Sequence, residues 1–258
     1  MSDAIHPCLW LDGRAREAAY FYASVFPGAQ ILGKAPPMIA IDVGGMKMSL
    51  LDGGPGIEAD PSISFLYRCD SEAEIASIWK ALTAEGKVRI ELGASASGPR
   101  RGWAEDKFGT NWRLALGASP QKVRPALAFA GEARGRAEGA MRFYASIFND
   151  SRIGGVSRSK PGRAPGAKGP AISGELYAGG TWLSLADSPQ LEGSGFGRGI
   201  SLVVICDTQG EIDYLWNKLG KGGSVGCSGW LADRYGVSWQ ILPRILEALL
   251  SDHARAPR

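Results

Sequence analysis

WAEDKFGTNW at residues 103–112 returns as WLADRYGVSW at residues 230–239, so the pattern W-x-x-D-[KR]-[FY]-G-x-x-W is spelled twice in one chain. Three other landmarks repeat in the same order. FYASVF (21–26) is answered by FYASIF (143–148), and GGMKMSL (44–50) by GGTWLSL (179–185). CDSEAEIASIWKAL (69–82) is answered by CDTQGEIDYLWNKL (206–219). Four matched landmarks in one order indicate a tandem duplication. Their offsets drift, from 122 residues for FYAS to 137 for the CD segment and 127 for the W-x-x-D motif, which places insertions and deletions in loops. The larger insertion is SRSKPGRAPGAKGP (157–170), where the first copy has only LGKAPPM (32–38). The expected division is residues 1–118 for the first copy and 123–245 for the second. A tail at 246–258 is expected to begin as a helix and fray.

Composition sets the frame. The chain has 258 residues, 45% of them hydrophobic, with a formal charge of +3. That suits buried cores in two domains and asks for no nucleic-acid partner. No apolar run reaches the ~18 residues of a membrane span, and MSDAIHPCLW lacks the basic and apolar regions of a secretion signal. Four cysteines, Cys8, Cys69, Cys206 and Cys227, form neither a C-x-x-C pair nor a zinc spacing. The expectation is a reduced, soluble, cytoplasmic protein with no membrane partner. Histidine occurs only at positions 6 and 253.

Each copy can be read for local structure. PCLWL (7–11) is a short apolar strand. Ala18, Phe21, Tyr22 and Val25 fall on one helical face, as do Ala140, Phe143, Tyr144 and Ile147. MIAIDV and KMSLL are strands joined at Gly44-Gly45, a hairpin signal. SISFLYRCD is another strand. Ser71 with Glu74, and Thr208 with Glu211, form capping boxes that open the second helix of each copy. NWRLAL and SWQIL close the copies as strands. The sum is β-α-β-β-β twice per copy and four times per chain. That predicts an α+β fold in which antiparallel sheets curl around a cavity with helices outside. In the repeated motif, Asp106-Lys107-Phe108-Gly109 is a tight turn. Asp106 and Asp233 are placed to bond nearby N–H groups, and Gly109 and Gly236 to take positive φ.

PCLWLDGRAREAAYFYASVFP (7–27), the CD-x-x-x-E-I-x-x-x-W-x-x-L helix and the D-[KR]-[FY]-G-x-x-W ending resemble PhnB-like proteins. These form the demethylubiquinone-methyltransferase-like branch of the glyoxalase/bleomycin resistance/extradiol dioxygenase group, the vicinal oxygen chelate superfamily. The resemblance covers nearly the whole chain, one domain per copy. It implies tandem glyoxalase-like domains, an internal pseudo-dimer of the two copies and a possible further homodimer. The fold alone does not fix the chemistry.

The superfamily's enzymes hold a divalent metal on the curled sheet, with ligands from the first and last strands of the units. Carried over position by position, the resemblance puts His6, Ser49, Ser62 and Arg113 at those places in the first copy. It puts Arg124, Ser184, Gly199 and Gln240 there in the second. A first-row metal wants imidazole, carboxylate or thiolate, and a guanidinium repels it. The expectation is therefore no catalytic metal and no other cofactor. Pairing units across the copies would bring His6 and Ser49 to Gly199 and Gln240, which does not complete a site.

Trp10, Trp103, Arg113, Trp230 and Gln240 are candidates to line a pocket for a small organic ligand, with the tryptophans as core the plainer reading. Arg113 favours an anionic ligand, and its replacement by Gln240 in the other copy makes the two cavities unlike. Cys69 and Cys206 sit at strand ends before helices and read as structural. GSGFGRG (193–199) precedes a strand, whereas nucleotide-binding glycine loops open a helix. The same lack of a strand–glycine–helix unit argues against S-adenosylmethionine. The basic residues Arg158, Lys160, Arg163 and Lys168 read as a solvated loop. The leading expectation is a metal-free small-molecule-binding protein. The alternative is a metal-dependent lyase, isomerase or dioxygenase of the same superfamily. In a third reading, one copy only holds the other's cavity in shape.

Overall fold

A computed structural model describes residues 4–57, 59–95, 98–158, 172–189, 191 and 195–246. Most of the 157–170 insertion, His253 and the end of the tail lie outside these residues.

Four β-α-β-β-β units follow one another. Unit one is β1 (His6–Leu11), α1 (Ala15–Val25), β2 (Gln30–Ala35), β3 (Met38–Val43) and β4 (Met46–Asp52). Unit two is β5 (Ile63–Cys69), α2 (Glu72–Thr83), β6 (Lys87–Ser95), β7 (Gly98–Glu105) and β8 (Asn111–Leu116). Unit three is β9 (Val123–Phe129), α3 (Ala137–Ala145), β10 (Arg152–Arg158), β11 (Ile172–Ala178) and β12 (Thr181–Asp187). Unit four is β13 (Ile200–Cys206), α4 (Gln209–Gly220), β14 (Ser224–Val225), β15 (Trp230–Ala232) and β16 (Ser238–Pro243).

The units assemble across the copies. One eight-stranded sheet runs β14-β15-β16-β13-β1-β4-β3-β2, so units four and one share it. The other runs β10-β11-β12-β9-β5-β8-β7-β6, joining units three and two. They are called the outer-unit and inner-unit sheets below. The joints are antiparallel, β1 on β13 and β5 on β9. Within each unit the first and last strands pair in parallel, as β1 does with β4 and β5 with β8. The sheets are therefore mixed and not wholly antiparallel as expected. The cause is the crossover helix: it carries the chain back once, so the third strand after it runs with the first.

Each copy nevertheless keeps its own apolar core. In the first copy Leu9, Met48 and Leu50 of one sheet meet Phe65, Tyr67 and Trp112 of the other, with Tyr22 of α1 and Ile78 of α2 among them. The second copy repeats this with Leu127, Phe129, Leu202, Val204, Trp239, Tyr144 and Leu215. Alternation along a strand then sends every second residue to the opposite face. That face carries His6, Cys8 and Trp10 on β1, and Arg124, Ala126 and Ala128 on β9.

Local signals act where the sequence placed them. Ser71 Oγ accepts from Glu74 N–H, and Thr208 Oγ1 from Glu211 N–H. Gly44 and Gly45 turn the β3–β4 hairpin with φ of 57° and 83°. Asp106 Oδ1 accepts from the Phe108 and Thr110 amides, while Oδ2 accepts from Tyr22 Oη and Trp112 Nε1. Asp233 does the same for Tyr235, Val237, Tyr144 and Trp239.

Glycine is required for a second reason after α2. A Cβ on Gly86 would lie 2.2 Å from the Glu105 carbonyl oxygen and 2.3 Å from that of Leu82. Its counterpart Gly223 would meet the Ala232 carbonyl oxygen at 2.1 Å. Backbone on both sides cannot yield as a side chain would. Gly86→Ala is expected to cost about 3 kcal/mol, the upper end for overpacking. Urea unfolding should show this as a lower midpoint at an unchanged slope.

Candidate functional site

The sheet faces turned away from the cores gather the sequence-nominated residues into two groups. His6, Trp10, Ser49, Trp230 and Gln240 stand on the outer-unit sheet. Ser62, Trp103, Arg113, Arg124 and Ser184 stand on the inner-unit sheet. Trp10, Trp230 and Gln240 thus stand on one face, and Trp103 and Arg113 on the other.

On the outer-unit sheet, Gln240, Val203 and His6 form one row across β16, β13 and β1. His6 is buried, with Nε2 3.2 Å from Ser49 Oγ on β4. Gln240 Nε2 donates to Ser201 Oγ at 2.7 Å. Between them, the Cys8 thiol hydrogen-bonds with Gln240 and Ser201, yet burial prevails and pushes its pKa up to about 11. It is a neutral thiol at physiological pH and a poor nucleophile. Trp10 and Trp230 meet edge-to-face at 6.0 Å at one end of the row. Trp10 also borders a cleft of about 530 Å³ whose lining includes Arg89 and Glu105.

The inner-unit sheet builds the same row from other residues. Arg113, Leu66 and Arg124 stand side by side on β8, β5 and β9. Arg124 pairs with Glu175 of β11 and donates to Ser119 Oγ at 2.7 Å. Arg113 lies over its cross-strand neighbour Trp103, 4.2 Å from the ring centroid. Burial alone lowers its pKa to about 10, so it remains a cation at neutral pH. Arg89 approaches the same indole at 5.8 Å, and Trp103 Nε1 donates to Asn111 at 3.0 Å. Ser184 registers beside Ala126 and Glu175.

Cys8, Ser64, Ser201 and Glu175 belong to these faces and were not nominated. A signal existed for three of them. Cys8 lies between His6 and Trp10 at the two-residue spacing that shares a face, and Ser64 and Ser201 lie two residues beyond Ser62 and Gly199. Gly199 instead sits just before β13, where its carbonyl accepts from Trp10 N–H. Glu175 is fixed only by the β11–β12 pairing, which no local pattern reveals.

Neither face fits a first-row metal. The outer-unit face offers one imidazole, two hydroxyls, an amide already donating to one of them, and a protonated thiol. It brings no carboxylate to offset a dication's desolvation. The inner-unit face offers guanidinia, which oppose it, and one carboxylate, Glu175, already paired with Arg124. Among the described residues no three His, Cys, Asp or Glu side chains gather in metal-binding geometry. S-Adenosylmethionine fits no better. Its sulfonium charge would face Arg113 and Arg124 on one sheet, and Gly195–Gly199 lead into β13 and not into a helix.

No curated protein matches the chain. Among solved structures, glyoxalase I from Zea mays superposes with a TM-score of 0.67 at 14% identity, covering 99% of this chain and 98% of that one. This likeness is one of fold. A Bacillus cereus structure described as a PhnB protein is 25% identical, covering 43% of this chain and 98% of that one at a TM-score of 0.41. The family described as 3-demethylubiquinone-9 3-methyltransferase matches residues 3–115 and again 121–242, once per repeated copy. With duplicated motifs and four β-α-β-β-β units in agreement, the chain belongs to the family described as 3-demethylubiquinone-9 3-methyltransferase, in two tandem copies.

Proposed function

We propose that the protein binds small organic molecules on the faces of its two sheets without a resident catalytic metal. The observation that carries this reading is the chemistry of the two faces, polar but with a single carboxylate, Glu175, which is already paired with Arg124. His6, Ser49, Ser201 and Gln240 would orient a neutral polar ligand beside the Trp10–Trp230 pair. Ser62, Ser184, Arg113, Arg124 and Trp103 would serve the other face. Small-molecule sites combine apolar walls with a few placed polar groups in this way. Four unpaired cysteines, three of them buried, support a reducing cytoplasmic setting, and no helix among the described residues is long and apolar enough to cross a membrane.

Native mass spectrometry of the purified chain, followed by calorimetric titration with zinc, nickel and iron(II), tests the proposal. The expected result is a bare mass or an organic adduct, and no stoichiometric metal uptake. A tight one-to-one metal site would overturn it and put a metal-dependent enzyme of the superfamily in its place. Gln240→Leu is expected to weaken a ligand of the outer-unit face about tenfold, the effect of one lost hydrogen bond, while leaving the inner-unit face unchanged.

A further inference from the structure

We propose that the inner-unit sheet is a carboxylate site, with Arg113 as the counter-cation for one ionised group on an otherwise apolar molecule. The inference rests on the small-molecule reading above and narrows it to a ligand class for one face.

Buried polar atoms are almost always hydrogen-bonded. Four on this face have no partner in the described structure: Arg113 Nε, Arg124 Nε, Ser62 Oγ and Ser64 Oγ. Ser62 and Ser64 precede Leu66 at the two-residue spacing that shares a face of β5, and Leu66 lies between the two arginines. All four atoms can donate, so the missing partner is an acceptor. Charge narrows it further. Arg124 is matched by Glu175, whereas no described carboxylate pairs with Arg113. One uncompensated guanidinium asks for one negative charge. The walls are apolar: Trp103, Ala128, Ala130 and Leu191 pack together beside it. The side chains between the arginines and the end of β9 are small. Where the outer-unit sheet fills its row with Cys8 and Trp10, this sheet has Ala126 and Ala128. Gln240 and His6 replace the two arginines over there, so anion selectivity belongs to one sheet.

Benzoate, benzamide and phenyl phosphate are suitable probes, titrated into the full chain by calorimetry and followed at arginine Nε–Hε resonances by NMR. Benzoate should bind one to one and shift the Arg113 Nε–Hε signal, assigned by its loss in R113K. Benzamide should bind at least tenfold more weakly, and phenyl phosphate no more tightly than benzoate. R113M should weaken benzoate at least tenfold, and ligand-free R113M should melt a few degrees higher because a buried unpaired cation is gone. Equal binding of benzoate and benzamide would overturn the carboxylate site while leaving the small-molecule reading intact. A tenfold preference for phenyl phosphate, a lower melting point of R113M, or no benzoate binding at millimolar concentration would also overturn it. A metal bound stoichiometrically in the absence of any probe would instead defeat the broader reading.

Discussion

Asp106→Ala is expected to destabilise the protein by about 4 kcal/mol, because buried donors left without an acceptor cost about 1–3 kcal/mol each. Tyr22 keeps Thr110 as an alternative partner at 3.0 Å. Trp112 Nε1 and the turn amides of Phe108 and Thr110 have no such substitute in the network described above. A loss of that size is a large share of the roughly 5–15 kcal/mol that a typical domain possesses. Asp106→Asn should be almost as damaging, since an amide nitrogen at Oδ2 would direct N–H at the indole N–H. Urea unfolding followed by tryptophan fluorescence measures both. A loss below 1 kcal/mol would mean the turn holds without its carboxylate. The variant also carries a pH signature. Burial, the largest influence, raises the Asp106 carboxyl above its ordinary range despite the four donors. The native state then keeps its proton longer than the unfolded chain does. By linkage, this group makes stability fall as pH rises from the ordinary carboxylate value through the raised one. The alanine variant should lack that segment of the slope.

Expressed apart, residues 1–122 and 123–258 are expected not to persist as monomers, and mixed together they should recover a one-to-one complex. Each half contains its own core, so each has reason to collapse. Each half also exposes two sheet edges that the intact chain closes. Separation removes the β1–β13 pairing from His6–Val203 through Leu9–Ile200, and the β5–β9 pairing from Ile63–Leu127 through Tyr67–Val123. Open edges of that length recruit other strands. Size-exclusion chromatography with light scattering should find the first half as a dimer or larger species, and the co-expressed halves as one complex of the intact protein's mass. A stable monomeric first half would show that the cross-copy pairing adds little to folding.

Much of this architecture was legible in sequence because its determinants are short-ranged. The helix faces come from spacing, the capping boxes from Ser71 and Thr208, and the turn from Asp106 and Gly109. Pairing of units was not legible. β1 and β5 present the same alternation whichever edge they meet, and only side-chain packing between distant residues selects β13 and β9. That ambiguity spread to the site. Pairing across the copies puts His6, Ser49 and Gln240 on one face, whereas pairing within a copy joins His6 and Ser49 to Arg113, which lies on the other sheet. Cys8 has no matching cysteine in the second copy, yet alternation alone puts it between His6 and Trp10.

A dimer of two identical single-copy chains would have to obey its two-fold axis. Its two sheets would be the same object seen twice, and any substitution would appear in both. Fusion of the copies lifts that obligation here. On the faces turned away from the cores, a change in unit one touches only the sheet that unit four completes, and a change in unit two only the sheet of unit three. Arg113 and Gln240 occupy corresponding places, yet neither constrains the other. Duplication has in this way given one polypeptide two independently inherited surfaces, each free to diverge while the shared scaffold stays the same.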